Sequence, residues 1–492
     1  MPMQTSQRAA AAAVLAAVVL ALAAGAASAE SLPPLIEAVK AGDRAAVRGL
    51  LKDPARVRDA EPDGTTALHW AVRADDVELM RLLLDAGANA SAVTRYGITP
   101  LQLAAMNGNR QAAALLLDAG APANAVLPEG ETILMTAART GSPEVITLLV
   151  DRGADVESRE KWYGETALMW AAAENHPQAV RVLAARGADV NARSTRFEIA
   201  RRRSGQSVLP LGHWTPLMYA ARQGALAATG ALLDAGANPD LTDPDGATAL
   251  VLAIINAHYD VAALLARRDA DPNIADTEAK MAALYAAVDM NTLAVGHGRP
   301  NTDASGRLSA LDLIEILLAH GADPNARLAA PLMQRHHTGG DRALGQGATP
   351  FMRAAKTGDV SAMRLLVTHG AQPTLTMPDG LTPLMLAAGF GWRDGSPAAP
   401  SFDQGTEDAA VEAIGYCLEL GLDINAATTN GDTALHVAVS GRGSPKIVRA
   451  LVERGARLDV KDKRGRTPLD LATTSRRERQ DLVDLLRELG AR

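Results

Sequence analysis

Five methionines, Met135, Met169, Met218, Met352 and Met385, recur at one corresponding position along the chain. Thioether sulfur is a soft donor that suits copper(I), so a methionine row is the first chemistry the sequence offers. Geometry argues against it. Packed helix layers lie roughly 8–10 Å apart, too far for neighbouring sulfurs to share one ion, and flexible filling of a tight interior accounts better for the row. Asp243-Pro244-Asp245-Gly246 resembles part of a calcium loop. Leu241 stands where an acidic ligand should precede it and no Glu follows at the twelfth place, so a type I turn is expected instead. His297 and the pair His336-His337, with Asp303 and Asp341 nearby, could form a His/Asp metal site if their loops fold inward. Solvated loop histidines are the commoner outcome. The chain has no Gly-x-Ser-x-Gly, no phosphate loop and no His-Glu-x-x-His. No catalytic constellation emerges, and neither an enzyme nor a cofactor nor a metal is expected.

Cys417 is the only cysteine, which excludes an intrachain disulfide. Laying Val411–Gly421 over Val77–Gly87 places Cys417 on Leu83, in the apolar stripe of a helix. A free cysteine behaves there as a small hydrophobe rather than a nucleophile. The balance of 49 basic against 56 acidic residues gives a net charge of −7. Nucleic acid, which demands a basic face, is not an expected partner.

At the N-terminus, Arg8 precedes the uncharged apolar run Ala9 to Ala24, and Ala27-Ser28-Ala29 supplies small residues at a cleavage site. Residues 1–29 are expected to be a signal peptide, with export to a Gram-negative periplasm or, alternatively, secretion. The apolar run falls short of the roughly 20 residues that span a bilayer, so no membrane span is expected in the mature chain. No Arg-Arg pair precedes the run and no Cys sits near the cleavage point, arguing against a twin-arginine route and a lipid anchor.

The elements that would position any site come from a repeat. Glycines 64, 97, 130 and 164 open successive similar phrases, which resume at His213, Gly246, Gly347, Gly380, Gly431 and Gly465, with spacings of 33, 33, 34, 49, 33, 101, 33, 51 and 34. Each phrase sets a threonine before the first helix, often followed by proline: Thr99-Pro100, Thr215-Pro216, Thr349-Pro350, Thr382-Pro383 and Thr467-Pro468. A hydroxyl caps the helix start, and proline at the first helical position forfeits no needed N–H. A short Ala-rich helix ends at a glycine such as Gly108, Gly141, Gly224 or Gly358. A second helix carries a stripe like Val77, Met80, Leu83 and Leu84, ends at a glycine such as Gly87, and leads into a polar reversal. A degenerate copy is expected with helices near 279–290 and 309–320, marked by Leu293 and Leu317. Close helix crossings through Ala account for the small number of aromatics, four Phe, six Tyr and five Trp.

This pattern resembles the ankyrin repeat. Its Thr-Pro-Leu-His-x-Ala signature reads here as Thr66-Ala67-Leu68-His69-Trp70-Ala71 and again as Thr433-Ala434-Leu435-His436-Val437-Ala438. The resemblance covers about residues 31–492 and implies an all-α solenoid of about twelve helix–turn–helix repeats with short β-hairpin finger turns. The signature's histidine implies hydrogen bonds to neighbouring turns, and only His69 and His436 hold that place. Residues 30–63 are expected to be an N-terminal capping repeat and 465–492 a C-terminal one. Between them, repeats over 64–212 carry a finger insertion at 194–212, those over 213–346 carry insertions at 291–308 and 327–346, and those over 347–464 one at 391–408. Long loops inside compact repeats are often functional.

By resemblance, finger tips and the exposed side of each first helix bind a partner protein along a concave surface. Carried over by register, the exposed positions include Arg95, Tyr96, Ile98, Met106 and Asn107, then Trp162, Tyr163, Glu165 and Glu174, then Trp214, Arg222 and Gln223. Trp70, Trp170 and Tyr219 occupy the variable place after the signature's fourth residue. Trp, Tyr and Arg dominate binding hot spots, so the partner surface is expected to centre on Trp162, Tyr163, Trp170, Trp214, Tyr219 and Arg222. The basic cluster Arg196, Arg201, Arg202 and Arg203 either docks an acidic partner or is a solvated loop. The leading function is a non-catalytic interaction scaffold, expected to be monomeric, with an unidentified protein partner. The alternatives are an exported effector acting on another cell and a ligand- or metal-binding protein built from the insertions.

Overall fold

A helix of two turns leaves most of its first N–H and last C=O groups without internal partners, so its caps decide whether it forms. Thr66, Thr99, Thr132, Thr166, Thr248, Thr349 and Thr382 each accept a hydrogen bond from the amide three residues on. Pro100–Asn107 and Pro350–Thr357 stop at Gly108 and Gly358, whose φ values of 67° and 71° are left-handed. Second helices start on Asp43, Asp76, Asn109 or Asp359, whose side chains accept from the first-turn amides.

The computed structural model describes residues 32–197, 212–291, 307–331, 344–389, 406–441, 443–474 and 479–492. Its helices form twelve antiparallel pairs, from Pro34–Lys40 with Arg44–Leu50 to Pro468–Thr474 with Gln480–Glu488. The pairs fall into two compact units. The first comprises 32–197, 212–220 and 225–238, and the second comprises 221–224 and the described part of 239–492. In the first unit the first helices from Pro34–Lys40 to Ala167–Ala173 pack each on the next, and so do the second helices from Val77–Asp85 to Leu226–Asp234. The second unit is built the same way. Apolar burial between pairs, not propensity, stabilises helices this short. Leu68, Leu79, Met80, Leu83, Leu101 and Leu116 are fully buried in the first unit, and Leu313, Ile314 and Leu317 in the second. Along the helix Val77–Asp85 the buried set is Leu79, Met80 and Leu83, while Val77 and Leu84 are half-buried, because this helix meets both its own first helix and its neighbours.

The degenerate copy has helices Ala283–Asn291 and Ala310–Ala319. The first starts later than the spacing suggests because the Asp276 carboxylate accepts from the amides of Glu278, Ala279 and Met281 and holds them as a turn. The insertions expected within 194–212, 291–308, 327–346 and 391–408 fall largely outside the described residues, as do residues 1–31, Arg201 to Arg203, Leu293, His297, Asp303, His336, His337 and Asp341. Among the described residues no helix is long and apolar enough to cross a membrane.

Two ladders tie neighbouring repeats beyond apolar contact. The first runs through the finger tips, where the amide of one tip donates to a carbonyl of the preceding tip. It includes Arg95 to Asp63 at 2.8 Å, Lys161 to Glu129 at 3.0 Å, Thr277 to Asp245 at 2.9 Å and Lys463 to Asn430 at 2.8 Å. At the tip between Arg95 and Lys161 the donor position is Pro128, which has no N–H, so that rung is not made. The fingers themselves close through isolated antiparallel bridges such as Ala60 with Thr66 and Val126 with Thr132. Gly97 must lack a side chain, since a Cβ there would lie 2.6 Å from Pro128 Cδ.

The second ladder is built from asparagine. Asn124 Nδ2 donates to the Gly153 carbonyl at 2.8 Å and its Oδ1 accepts from Asp155 N at 2.9 Å. Asn273 does the same to Gly321 and Asp323, Asn325 to Gly370 and Gln372, and Asn425 to Gly455 and Arg457. Each amide therefore closes the second-helix terminus of the following repeat, satisfying carbonyl and amide groups that the helix itself leaves open.

Candidate protein-binding site

His69 is buried, and its ring bridges two repeats. Nδ1 accepts from Thr66 N at 3.2 Å, and Nε2 lies 3.2 Å from the Ile98 carbonyl, to which it donates as the neutral tautomer. His436 repeats the geometry with Thr433 and the Arg466 carbonyl. Burial lowers the pKa of His69, partly offset by the bond to Ile98. In other repeats a methionine takes this place. Thr132 N donates to Met135 Sδ at 3.4 Å and Thr215 N to Met218 Sδ at 3.5 Å. All five methionines of the row are buried. At Met135 and Met218 the thioether thus substitutes for the ring nitrogen as an acceptor at the helix start, while Met169, Met352 and Met385 are buried as packing. Cys417 is buried in the helix Glu407–Glu419, and burial pushes its thiol up to about 12. The Asp243 carboxylate accepts from the amides of Asp245 and Ala247, closing a turn with its own chain.

The finger carrying Trp162 is one residue longer than its neighbours, since the phrase spacing here is 34. Glu160 is buried at its base and accepts from three amides: Trp162 N at 2.6 Å, Tyr163 N at 2.7 Å and Glu165 N at 2.9 Å. A carboxylate that receives three amides fixes the loop, and the loop projects Trp162 with 67% of its surface exposed. Tyr163, 37% exposed, stands edge-on to Phe197 with ring centres 5.5 Å apart. Two fingers earlier, Tyr96 is 42% exposed and lies under the Arg95 guanidinium at 4.8 Å. Val93 projects from the same finger as Tyr96, and Val126 from the one between it and Trp162. The extra residue and an acid two places before Trp162 are the signals that would have revealed the Glu160 clasp.

The first-helix positions are less open. Met106, Trp170, Tyr219 and Arg222 are half-buried, as are Ile98 and Glu165, while Asn107, Glu174 and Gln223 are exposed. Trp170 lies under Arg139 at 5.7 Å, and Trp70 under Lys40 at 4.0 Å with its Nε1 donating to Glu61. Trp214 corrects the sequence reading. It is 4% exposed and packs edge-on against Tyr219, because Ser194 and Trp214 exchange hydrogen bonds through N, O and Oγ that draw the ring into the finger base. The exposed members of the expected surface are therefore Arg95, Tyr96, Trp162 and Tyr163 at the finger tips, with Met106, Trp170, Tyr219 and Arg222 half-buried beside them. Among the described residues no group of three or more His, Cys, Asp or Glu side chains is placed to hold a metal ion.

Comparisons with known proteins follow the same lines. The B-cell lymphoma 3 protein homolog of Mus musculus is 34% identical over 148 residues, 30% of this chain and 28% of that protein. Rabankyrin-5 of Mus musculus is 32% identical over 113 residues, 23% of this chain and 8% of that protein. The E3 ubiquitin-protein ligase Ufd4 of Drosophila melanogaster is 30% identical over 189 residues, 37% of this chain, and the match spans 6% of the ligase. The chain thus spans under a third of the length of these relatives. The crystal structure of the ankyrin repeat domain of Bcl-3 matches 46% of this chain and 94% of its own at 28% identity and a TM-score of 0.37. That of the human ASB11 ankyrin repeat domain matches 48% and 97% at 27% identity and a TM-score of 0.40. A family model described as ankyrin repeats in three copies matches residues 35–126, 119–194, 202–276, 304–395 and 407–492. With those matches covering most of its length, the chain belongs to the ankyrin repeat family, whose members generally mediate protein–protein interaction.

Proposed function

We propose that this protein is an exported, non-catalytic interaction protein that grips a partner protein with its finger tips and first-helix faces, Trp162 at the centre. The carrying observation is the clasp at Glu160, which holds a largely exposed tryptophan on a preordered loop. A large apolar ring costs free energy in water, and preorganisation lowers the entropy lost on binding. Export is the reading of residues 1–29 and their small-residue cleavage site. Its test is fractionation, which separates periplasmic from secreted protein.

The binding reading is tested by replacing Trp162 with photoreactive p-benzoylphenylalanine in the full chain and irradiating intact cells. A discrete adduct is expected at 162 and none at Glu78, an exposed second-helix position. Equal labelling at both positions, or no adduct at either, overturns the reading.

A further inference from the structure

The two units differ in what their first helices leave open. In the first unit the last turns of these helices reach solvent, with Arg73, Asn107, Thr140 and Glu174 exposed. In the second unit Asn256, Met290 and Thr357 are buried at the corresponding places, as are Asp289, Arg353 and Lys356, and only its last two first helices expose their final turn again, at Ser440, Thr473 and Thr474. Arg353, fully buried, pairs with Asp289 at 2.5 Å. Every large hydrophobic side chain that the described residues leave exposed, Trp162 and Tyr96 foremost, belongs to the first unit.

Charge divides as well. From 92 to 197 the fingers of the first unit carry Arg95, Arg159, Lys161, Arg193 and Arg196. Their carboxylates are largely engaged: Glu160 clasps three amides and Glu131 accepts from Thr136 at 2.6 Å and faces Arg139. Glu129 stands exposed among them. Among the described residues Arg95 and Lys161 have no carboxylate within ion-pair distance; Arg95 donates to Tyr96 Oη and Lys161 Nζ to the Pro128 carbonyl. Burial first, and then the charges of Arg193 and Arg196, lower the pKa of His213 at this end of the row. In the second unit the fingers carry Asp243, Asp245, Asp276, Glu278 and Asp379 beside Lys280, and basic residues again at Arg327 and at Lys461 to Arg466, where no aromatic residue accompanies the charge.

From this asymmetry we infer that partner binding is confined to the first unit, and that its finger row takes an extended acidic segment carrying apolar side chains. The inference rests on the binding reading above and adds the partner's chemistry. Neighbouring repeats are roughly 8–10 Å apart, so the two steps from Tyr96 to Tyr163 make roughly 20 Å, which extended chain covers in about six residues. Apolar side chains of that segment meet Tyr96, Trp162 and Tyr163, and its carboxylates meet Arg95 and Lys161. Opposite charge then sets orientation and encounter rate, while the rings supply the anchor.

The test titrates the full chain with poly(Glu,Tyr), a random acidic-aromatic copolymer, and with polyglutamate and polylysine, reading tryptophan fluorescence. Saturable binding of poly(Glu,Tyr) that weakens with added salt is expected, with polyglutamate weaker and polylysine inert. Trp162→Ala and the pair Arg95→Glu with Lys161→Glu should each weaken it about tenfold. Lys463→Glu with Arg464→Glu, on a basic finger of the second unit, should leave it unchanged. Absence of binding, preference for polylysine, or an equal loss in the second-unit variant overturns the inference. If the photocrosslink at 162 succeeds while poly(Glu,Tyr) does not bind, the assigned partner chemistry alone falls; if both fail, the binding reading falls with it.

Discussion

Replacing Glu160 by Gln tests whether the projecting finger is held by its buried carboxylate. The wild-type group accepts Tyr163 N and Glu165 N on Oε1 and Trp162 N on Oε2. Glutamine keeps one acceptor oxygen, so an NH2 group must face one of these amides, donor against donor. One charge-assisted bond, worth about 1.5–3 kcal/mol, disappears, and the two that remain lose their ionic partner, for a total of about 2–4 kcal/mol. The finger is peripheral to the helix stack, so the loss should appear as local opening rather than global unfolding. Amide hydrogen exchange at Trp162, Tyr163 and Glu165 should accelerate roughly 30- to 800-fold, since each 1.4 kcal/mol is a factor of ten. The thermal midpoint should barely move. Exchange within about twofold of wild type would show that the carboxylate does not hold the loop and would remove the physical basis for a preordered Trp162.

Leu317→Ala, which truncates a fully buried side chain in the second unit, should cost about 2–5 kcal/mol and split the urea transition into two phases; a single unshifted transition would contradict stacking as the source of stability. Asn273→Ala removes one side-chain donor to Gly321 and one acceptor for Asp323 and should lower stability by about 1–3 kcal/mol, whereas Asn273→Asp, which keeps the acceptor, should lose less. His69 has its folded pKa depressed below the ordinary 6.5, so its contribution is complete above pH 6.5 and is lost as pH falls through the lower folded value. The urea midpoint should therefore drop between pH 7.5 and pH 5, and less so in His69→Gln; equal drops would assign the effect elsewhere. Cys417, with its thiol pushed up to about 12, should resist a thiol reagent at pH 8 until urea unfolds the chain, and rapid labelling of folded protein would refute its burial.

Repetition made most of the fold legible before any coordinates. Thr99-Pro100 and Gly108 mark the ends of one helix by chemistry alone, and a 33-residue recurrence turns that local reading into an array. What escaped is what depends on several residues meeting at once. Trp162 stands two residues before its phrase start and Trp214 one after its own, but neither place nor type shows that paired bonds to Ser194 bury one ring while the Glu160 clasp exposes the other. The methionine row was readable as packing, but the acceptor role of Met135 and Met218 was not, because it depends on the direction of a threonine amide. Asn273 looks like an ordinary turn residue, and its bonds reach a helix about 50 positions away.

The asparagine ladder also gives the array a direction. Each amide belongs to one repeat but completes the next, so cutting the chain after Asn425 leaves only a side chain without its partners, and water supplies replacements. Cutting before it strips the Gly455 carbonyl and the Arg457 amide of theirs, two backbone groups that close a helix end. Trimming from the carboxyl side is therefore gentler than trimming from the amino side. A ribosome builds in the tolerant direction: a repeat that emerges after Asn124, Asn273, Asn325 or Asn425 finds its clasp already waiting on the one before.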